Sequence, residues 1–173
     1  MVFNYTDNYK VTTRLQLRNE TVEVINSTKL LGTIIKKDLN WDLNTQSIVK
    51  KGNARMQLLR KVASFDTPED DLVNVYILFI RSLLEQSAVV WHSSLTQENA
   101  QNLEMIQKSA MKVILGHIYI SYEKFLAKLE LESLNDRREQ LCTNVAKTCV
   151  KNPKLCEMFP KNKKITCNGT ERL

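Results

Sequence analysis

The sequence predicts an α+β chain that is mainly helical, with three short antiparallel strands at the N-terminus and a helical bundle after them. Three observations carry this prediction. Between Val11 and Arg18 apolar residues alternate with a period of two, the pattern of a half-buried strand. After Trp41 the period becomes helical, with Ile48, Gly52, Met56, Leu59 and Ala63 on one stripe. Helix start and stop signals then recur as far as Asn152-Pro153.

In the first strand Val11, Thr13, Leu15 and Leu17 oppose Thr12, Arg14, Gln16 and Arg18. A β-branched run, Thr21 to Ile25, follows Asn19-Glu20, and a two-residue break of this kind predicts a hairpin, with weaker turn chemistry than Asn-Gly. The third run, Leu30-Leu31-Gly32-Thr33-Ile34-Ile35, reads as one buried strand whose glycine lets another group approach the backbone. Three such strands leave an uncovered face and an open edge, so this segment is expected to be mobile, wrongly paired or aggregation-prone in isolation.

The first helix carries Lys50, Gln57 and Lys61 opposite its apolar stripe, with Lys51 and Arg55 along one flank. Asp66-Thr67-Pro68-Glu69-Asp70-Asp71 opens a second helix, with Thr67 as N-cap, Pro68 in the first position and acids at the positive end of the dipole. Its residues Leu72 to Leu84 include few polar positions, which predicts a helix covered on most sides at the centre of the bundle. Thr96-Gln97-Glu98-Asn99 caps a third helix with the stripe Leu103, Ile106, Ala110 and Val113/Ile114, ended by Gly116. A short fourth helix is predicted from Ser121 to Leu129. A fifth runs from about Ser133 to Val150, with Leu134, Leu141, Cys142, Val145 and Cys149 inward.

A chain of 173 residues with this apolar content can bury one core. It has no run of about 18 apolar residues, and Met1 to Asp7 has neither the charged nor the apolar part of a signal peptide. The expectation is an intracellular protein of cytoplasm or nucleus, neither secreted nor membrane-bound. Glycosylation sequons at Asn4, Asn19, Asn26 and Asn168 would then be idle. Cys142, Cys149, Cys156 and Cys167 lack the close pairs of a zinc site and read as free thiols, Cys142 and Cys149 lying on one helical face.

The inventory for catalysis is thin. Nothing in the sequence brings His92 or His117 beside a nucleophile or a second ligand. Asp70-Asp71 could hold magnesium, but their place in the first turn of a helix is explained by the helix dipole. There is no glycine-rich phosphate loop. Charge offers more: the net balance is +6, and residues 41 to 65 hold Lys50, Lys51, Arg55, Arg60 and Lys61 against Asp42 alone. Such a helix suits phosphate contacts, and it also fits an ordinary solvated face.

The order of the pieces adds a resemblance. Thr28-Lys29-Leu30-Leu31-Gly32-Thr33-Ile34-Ile35, then Asp38-Leu39-Asn40-Trp41, then Ile48-Val49-Lys50-Lys51, resembles the segment after the active site in non-LTR (LINE-type) retrotransposon reverse transcriptases. Ile77 to Glu85 with Val89-Val90-Trp91-His92, and Leu103 to Ala110, look like that family's second and third thumb helices. Arg137-Arg138-Glu139-Gln140-Leu141 and Met158-Phe159-Pro160 match features of its C-terminal extension, and Gln86 stands where relatives often have an aromatic.

The resemblance implies residues 1–40 as terminal strands of a palm, 41–116 as a three-helix thumb, 117–152 as a helical extension and 153–173 as a Lys-rich, weakly structured tail. It implies Leu31-Gly32 as the approach to the primer end, and Lys50, Lys51, Arg55 and Lys61 as contacts to an RNA/DNA duplex held weakly and without sequence preference. The family's magnesium-binding aspartates, in a (Phe/Tyr)-Ala-Asp-Asp motif and upstream of it, have no counterpart here. The expectation is therefore a non-enzymatic fragment with no cofactor or metal of its own, whose partners would be a duplex and the palm and fingers of a parent polymerase that itself needs magnesium. The alternative is a retrotransposon-derived structural or protein-interaction module. An unbroken cationic strip would favour the first and a contiguous apolar patch the second.

Overall fold

A computed structural model describes residues 16–18, 20–116 and 121–158. The fold is α+β and mainly helical, as the sequence predicts. Its strands, however, are partitioned differently. β1 (Gln16–Leu17) pairs antiparallel with β2 (Glu20–Thr21), with Leu17 opposite Glu20, so Glu20, predicted to lie in the break, belongs to the second strand. Arg18 has a φ of +50°, in the region that a tight two-residue hairpin turn demands. Of the strand predicted over Val11 to Arg18, Val11 to Leu15 lie outside the described residues.

The largest departure is at Leu30 to Ile35, which is not one strand. β3 (Ser27–Leu30) and β4 (Thr33–Lys36) form an antiparallel hairpin, and Leu31-Gly32 is its turn. Leu31 and Gly32 have φ of +48° and +89°, so consecutive residues take the left-handed conformation of a type I′ turn. A leucine pays for this by roughly 1–2 kcal/mol, which is why Leu-Gly carries no turn signal in sequence. The hairpin is fixed to the bundle: Thr33 is buried, Ile35 packs on the core, and the Ile34 amide donates to Asn44 Oδ1 at 3.0 Å.

α1 (Asp42–Ala63) begins after an Asx-type turn in which the Asp42 amide donates to Asn40 Oδ1 at 2.8 Å. Its stripe of Ile48, Gly52, Met56 and Leu59 is buried, largely against α5 (Gln97–Leu115). A Cβ added at Gly52 would lie 2.8 Å from Ile106 Cδ1, so the glycine sets how near the two helices come. Asp42 and Asn99 join the starts of these helices, with Asn99 Nδ2 donating to Asp42 Oδ1 at 2.6 Å.

The second helix starts one residue later than predicted. Pro68 occupies the cap position, while the Thr67 hydroxyl donates to the Val62 carbonyl at 2.7 Å and closes the preceding turn. α2 (Glu69–Val75) then runs into a π-helical segment, Tyr76–Arg81, and on into α3 (Ser82–Leu84). Leu72, Tyr76, Ile80, Leu83 and Leu84 are buried, but Leu78 and Phe79 are not, so the helix is less covered than predicted. Glu69–Ser94 is long and apolar enough to cross a membrane by length and composition alone, and here it supplies the centre of the core.

α4 (Ala88–Trp91) follows Ser87, whose φ is +55°. α5 is capped by Thr96, which accepts from the Asn99 amide, and ends at Gly116 with φ of +51°. Ser121 and Ser133 cap α6 (Tyr122–Lys128) and α7 (Leu134–Lys151), in each case accepting the amide three residues on. Phe125 and Leu134 enter the same apolar core as α1 and α5, whereas Val145, predicted inward, is exposed. A short α8 (Pro153–Met158) stands where little structure is expected.

Because Gly52 faces Ile106 in a filled interface, Gly52→Leu should destabilise the fold by about 1–3 kcal/mol in urea denaturation. Adding Ile106→Val should recover part of the loss. An unchanged midpoint for Gly52→Leu alone would mean that the two helices are not in close contact there.

Candidate nucleic-acid interface

Amphipathicity determines which side of α1 is available. With Ile48, Gly52, Met56 and Leu59 turned inward, Lys50, Lys51, Arg55, Arg60 and Lys61 are all exposed. Lys50 and Lys61 lie nearly opposite the buried stripe, Lys51 and Arg55 on one flank and Arg60 on the other. Among the described residues, Lys50, Lys51 and Lys61 enter no ion pair with an acid.

Arg55 differs from its neighbours. Its guanidinium Nη1 donates to the carbonyl of Phe79 in the π-helical segment. A π-helical turn displaces carbonyls from α-helical register, and Arg55 ties one of them to α1. Of the four predicted duplex contacts, three are therefore open, and the fourth is engaged in joining two helices.

Leu31-Gly32, predicted to lie within a buried strand, instead forms the exposed tip of the β3–β4 hairpin. Leu31 is 88% exposed. The predicted close approach to the glycine does occur, but from inside the chain: a Cβ at Gly32 would lie 2.5 Å from Gln86 Nε2, and that nitrogen donates to the Leu31 carbonyl at 3.2 Å.

Sequence reasoning missed a second group, the buried polar junction of α5, α6 and α7. Gln107 is fully buried; its Oε1 accepts from the Tyr76 hydroxyl at 2.5 Å, and its Nε2 donates to the Tyr122 hydroxyl at 2.9 Å and the Glu132 carbonyl at 2.8 Å. The Tyr122 hydroxyl donates in turn to Glu104 Oε1, which also accepts from the Leu134 amide at 3.2 Å. Burial raises both tyrosine pKa values, and the bond to Glu104 raises that of Tyr122 further, so both remain neutral donors.

Arg138 is fully buried beside this group. Its guanidinium lies 6.0 Å from the Trp91 ring and its Nε donates to His92 Nδ1 at 3.4 Å. Nη1 and Nη2 have no hydrogen-bond partner among the described residues, nor does Glu104 Oε2. Arg138 lies four residues after Leu134, on the stripe read as apolar, and that placement was the available signal. Gln107 sits on the α5 stripe in the same way.

Asp70 and Asp71 are exposed in the first turn of α2, and their neighbour Glu69 pairs with Lys128 at 2.8 Å. No three of His, Cys, Asp and Glu gather into a metal-binding group among the described residues. Cys142, Cys149 and Cys156 are half-buried free thiols, and burial pushes the Cys142 pKa up. His117 and Cys167 lie outside the described residues.

No family model, no curated protein and no solved structure matches this chain.

His92 supplies a pH test of the junction. Burial and then the nearby Arg138 charge lower its pKa below the ordinary value of 6.5, outweighing Glu139. The unfolded chain therefore binds the proton more readily, so the stability from neutral His92 is present above pH 6.5 and is lost as pH falls through the folded pKa. Thermal melts from pH 8 to pH 5 should show a smaller acid loss for His92→Gln than for the native chain. Equal losses would place the acid sensitivity elsewhere.

Proposed function

We propose that this chain is the strand-end and thumb-like part of an RNA-directed DNA polymerase of the non-LTR retrotransposon type, gripping template–primer duplex weakly and without base preference. The observation that carries this reading is the outer side of α1, where Lys50, Lys51 and Lys61 are exposed and enter no ion pair among the described residues. Exposed ammonium groups contact phosphates rather than base edges, and an A-form-like duplex is read by shape, so such a surface gives grip without sequence preference. The ordered resemblance of the Leu31-Gly32, thumb-like and extension motifs supports the same assignment. In this reading polymerisation is not the work of these residues, since the sequence carries no (Phe/Tyr)-Ala-Asp-Asp motif. The carboxylates would come from a palm outside it.

A second reading, a protein-interaction module, is favoured by one specific observation. Leu78 and Phe79 are 68% and 50% exposed on the second helix, and the Phe79 carbonyl meets Arg55 of α1. Adjacent exposed apolar groups of this size on one helix suit a partner protein.

Fluorescence anisotropy across several salt concentrations separates the two readings. With about three cations engaged, log K against log salt should have a slope near −2 to −3, with affinity in or near the ~10⁻⁴ to 10⁻⁶ M range. Lys50→Gln with Lys51→Gln should flatten the slope by roughly one to two units and weaken all sequences alike. Arg60→Gln, on the other flank, should matter less. Arg55→Gln should instead lower thermal stability, because it leaves the Phe79 carbonyl without its partner from α1. Binding indifferent to the Lys50/Lys51 change would favour the interaction module.

Incubation with an RNA template, DNA primer, magnesium and nucleotides should give no extension above background. Templated extension that disappears on replacing an acid of this chain would overturn the assignment.

A further inference from the structure

We propose that Gln86 is a positioning residue that latches the Leu31-Gly32 turn to the bundle, fixing where the hairpin tip stands relative to α1. This rests on the duplex-gripping function proposed above. Three features converge on the residue. Its Nε2 donates to the Leu31 carbonyl across 55 positions of sequence. The same nitrogen fills the space where a side chain at position 32 would begin, so the contact requires glycine there. Its own backbone is fixed, because Trp91 Nε1, on a fully buried indole, donates to the Gln86 carbonyl at 3.0 Å.

The chemistry of the contact selects this side chain. The Leu31 carbonyl belongs to the turn and takes its side-chain partner from outside the hairpin, so the partner must be a donor. Glutamate in the same place would set a carboxylate against a carbonyl oxygen. Asparagine would fall one methylene short. Two residues beyond the turn, in β4, Asn44 Oδ1 receives the Ile34 amide in a part-buried bond, while Gln86 is itself exposed. The strand is thus anchored by a part-buried bond and the tip by one open to solvent. The tip can therefore be released without unfolding the bundle.

The test uses the full chain and the variants Gln86→Glu and Gln86→Ala, with α5 amides as the internal control for folding. Amide hydrogen exchange in the β3–β4 hairpin should become about five- to tenfold faster in both variants, with α5 unchanged. Anisotropy then compares an RNA–DNA duplex with a recessed 3′ end and one closed by loops at both ends. Gln86→Glu should bind the open-ended duplex about fivefold more weakly and the closed duplex as the native chain does. Unchanged hairpin exchange would overturn the latch, whatever the nucleic-acid result. Faster exchange with native affinity for both duplexes would overturn the positioning role while leaving the duplex-gripping function standing. Failure of the native chain to bind either duplex would overturn that function and the positioning role with it, and exchange would still decide whether the latch exists.

Discussion

A buried amide carries a donor and an acceptor that must both be matched, and Gln107 is matched at each end. Tyr76 from the second helix supplies its acceptor with a proton, while Tyr122 of α6 and the Glu132 carbonyl before α7 take its donors. Leaving one of these groups unpaired would cost roughly 1–3 kcal/mol, so the second helix, α5, α6 and the start of α7 are held in one relative register. Apolar burial is non-directional and could tolerate a slide of one helix past another. The amide could not.

That register has consequences outside the core. Trp91 lies over Arg138 and also holds the Gln86 carbonyl, so the packing of α7 reaches, through one indole, the residue that touches the hairpin tip. Arg138 is the costly element of this arrangement, because a buried guanidinium is favourable only when its charge and its N–H groups are answered. Burial lowers its pKa, and Glu104 and Glu85 oppose that effect most strongly. Glu85 is also shared between Arg81 and Arg137, at 3.5 and 3.3 Å, which ties the end of the second helix to α7.

By contrast, the cations on the outer side of α1 contribute little to folding. Exposed charges in water stabilise a fold by at most a fraction of a kcal/mol, and Lys50, Lys51 and Lys61 have no acid partner among the described residues to add even that. Arg55 is the exception, since its bond to the π-helical carbonyl gives it a place in the joint between two helices. A surface made of charges that folding does not require is well suited to a ligand held by phosphate contacts alone.

Periodicity by itself determined the fold class and most helix limits, because burying one stripe of a helix is a local demand repeated every turn. The cap at Thr96 was legible because it satisfies an amide three residues away, and the helix starts at Ser121 and Ser133 were legible as limits, though not as the caps they form. The exposed cations of α1 followed from the stripe they oppose. Tertiary structure decided the rest. Leu30 to Ile35 has the composition of a strand, and the turn at Leu31-Gly32 is met by an outside donor from Gln86 and followed by an outside acceptor from Asn44. The engagement of Arg55 depends on a carbonyl 24 residues away, in the π-helical segment. Gln107 and Arg138 occupy positions that a hydrophobicity pattern assigns to apolar side chains, and their partners come from other helices. Pairings of this kind leave no period in the sequence, since what satisfies each group is fixed by the packing of elements distant along the chain.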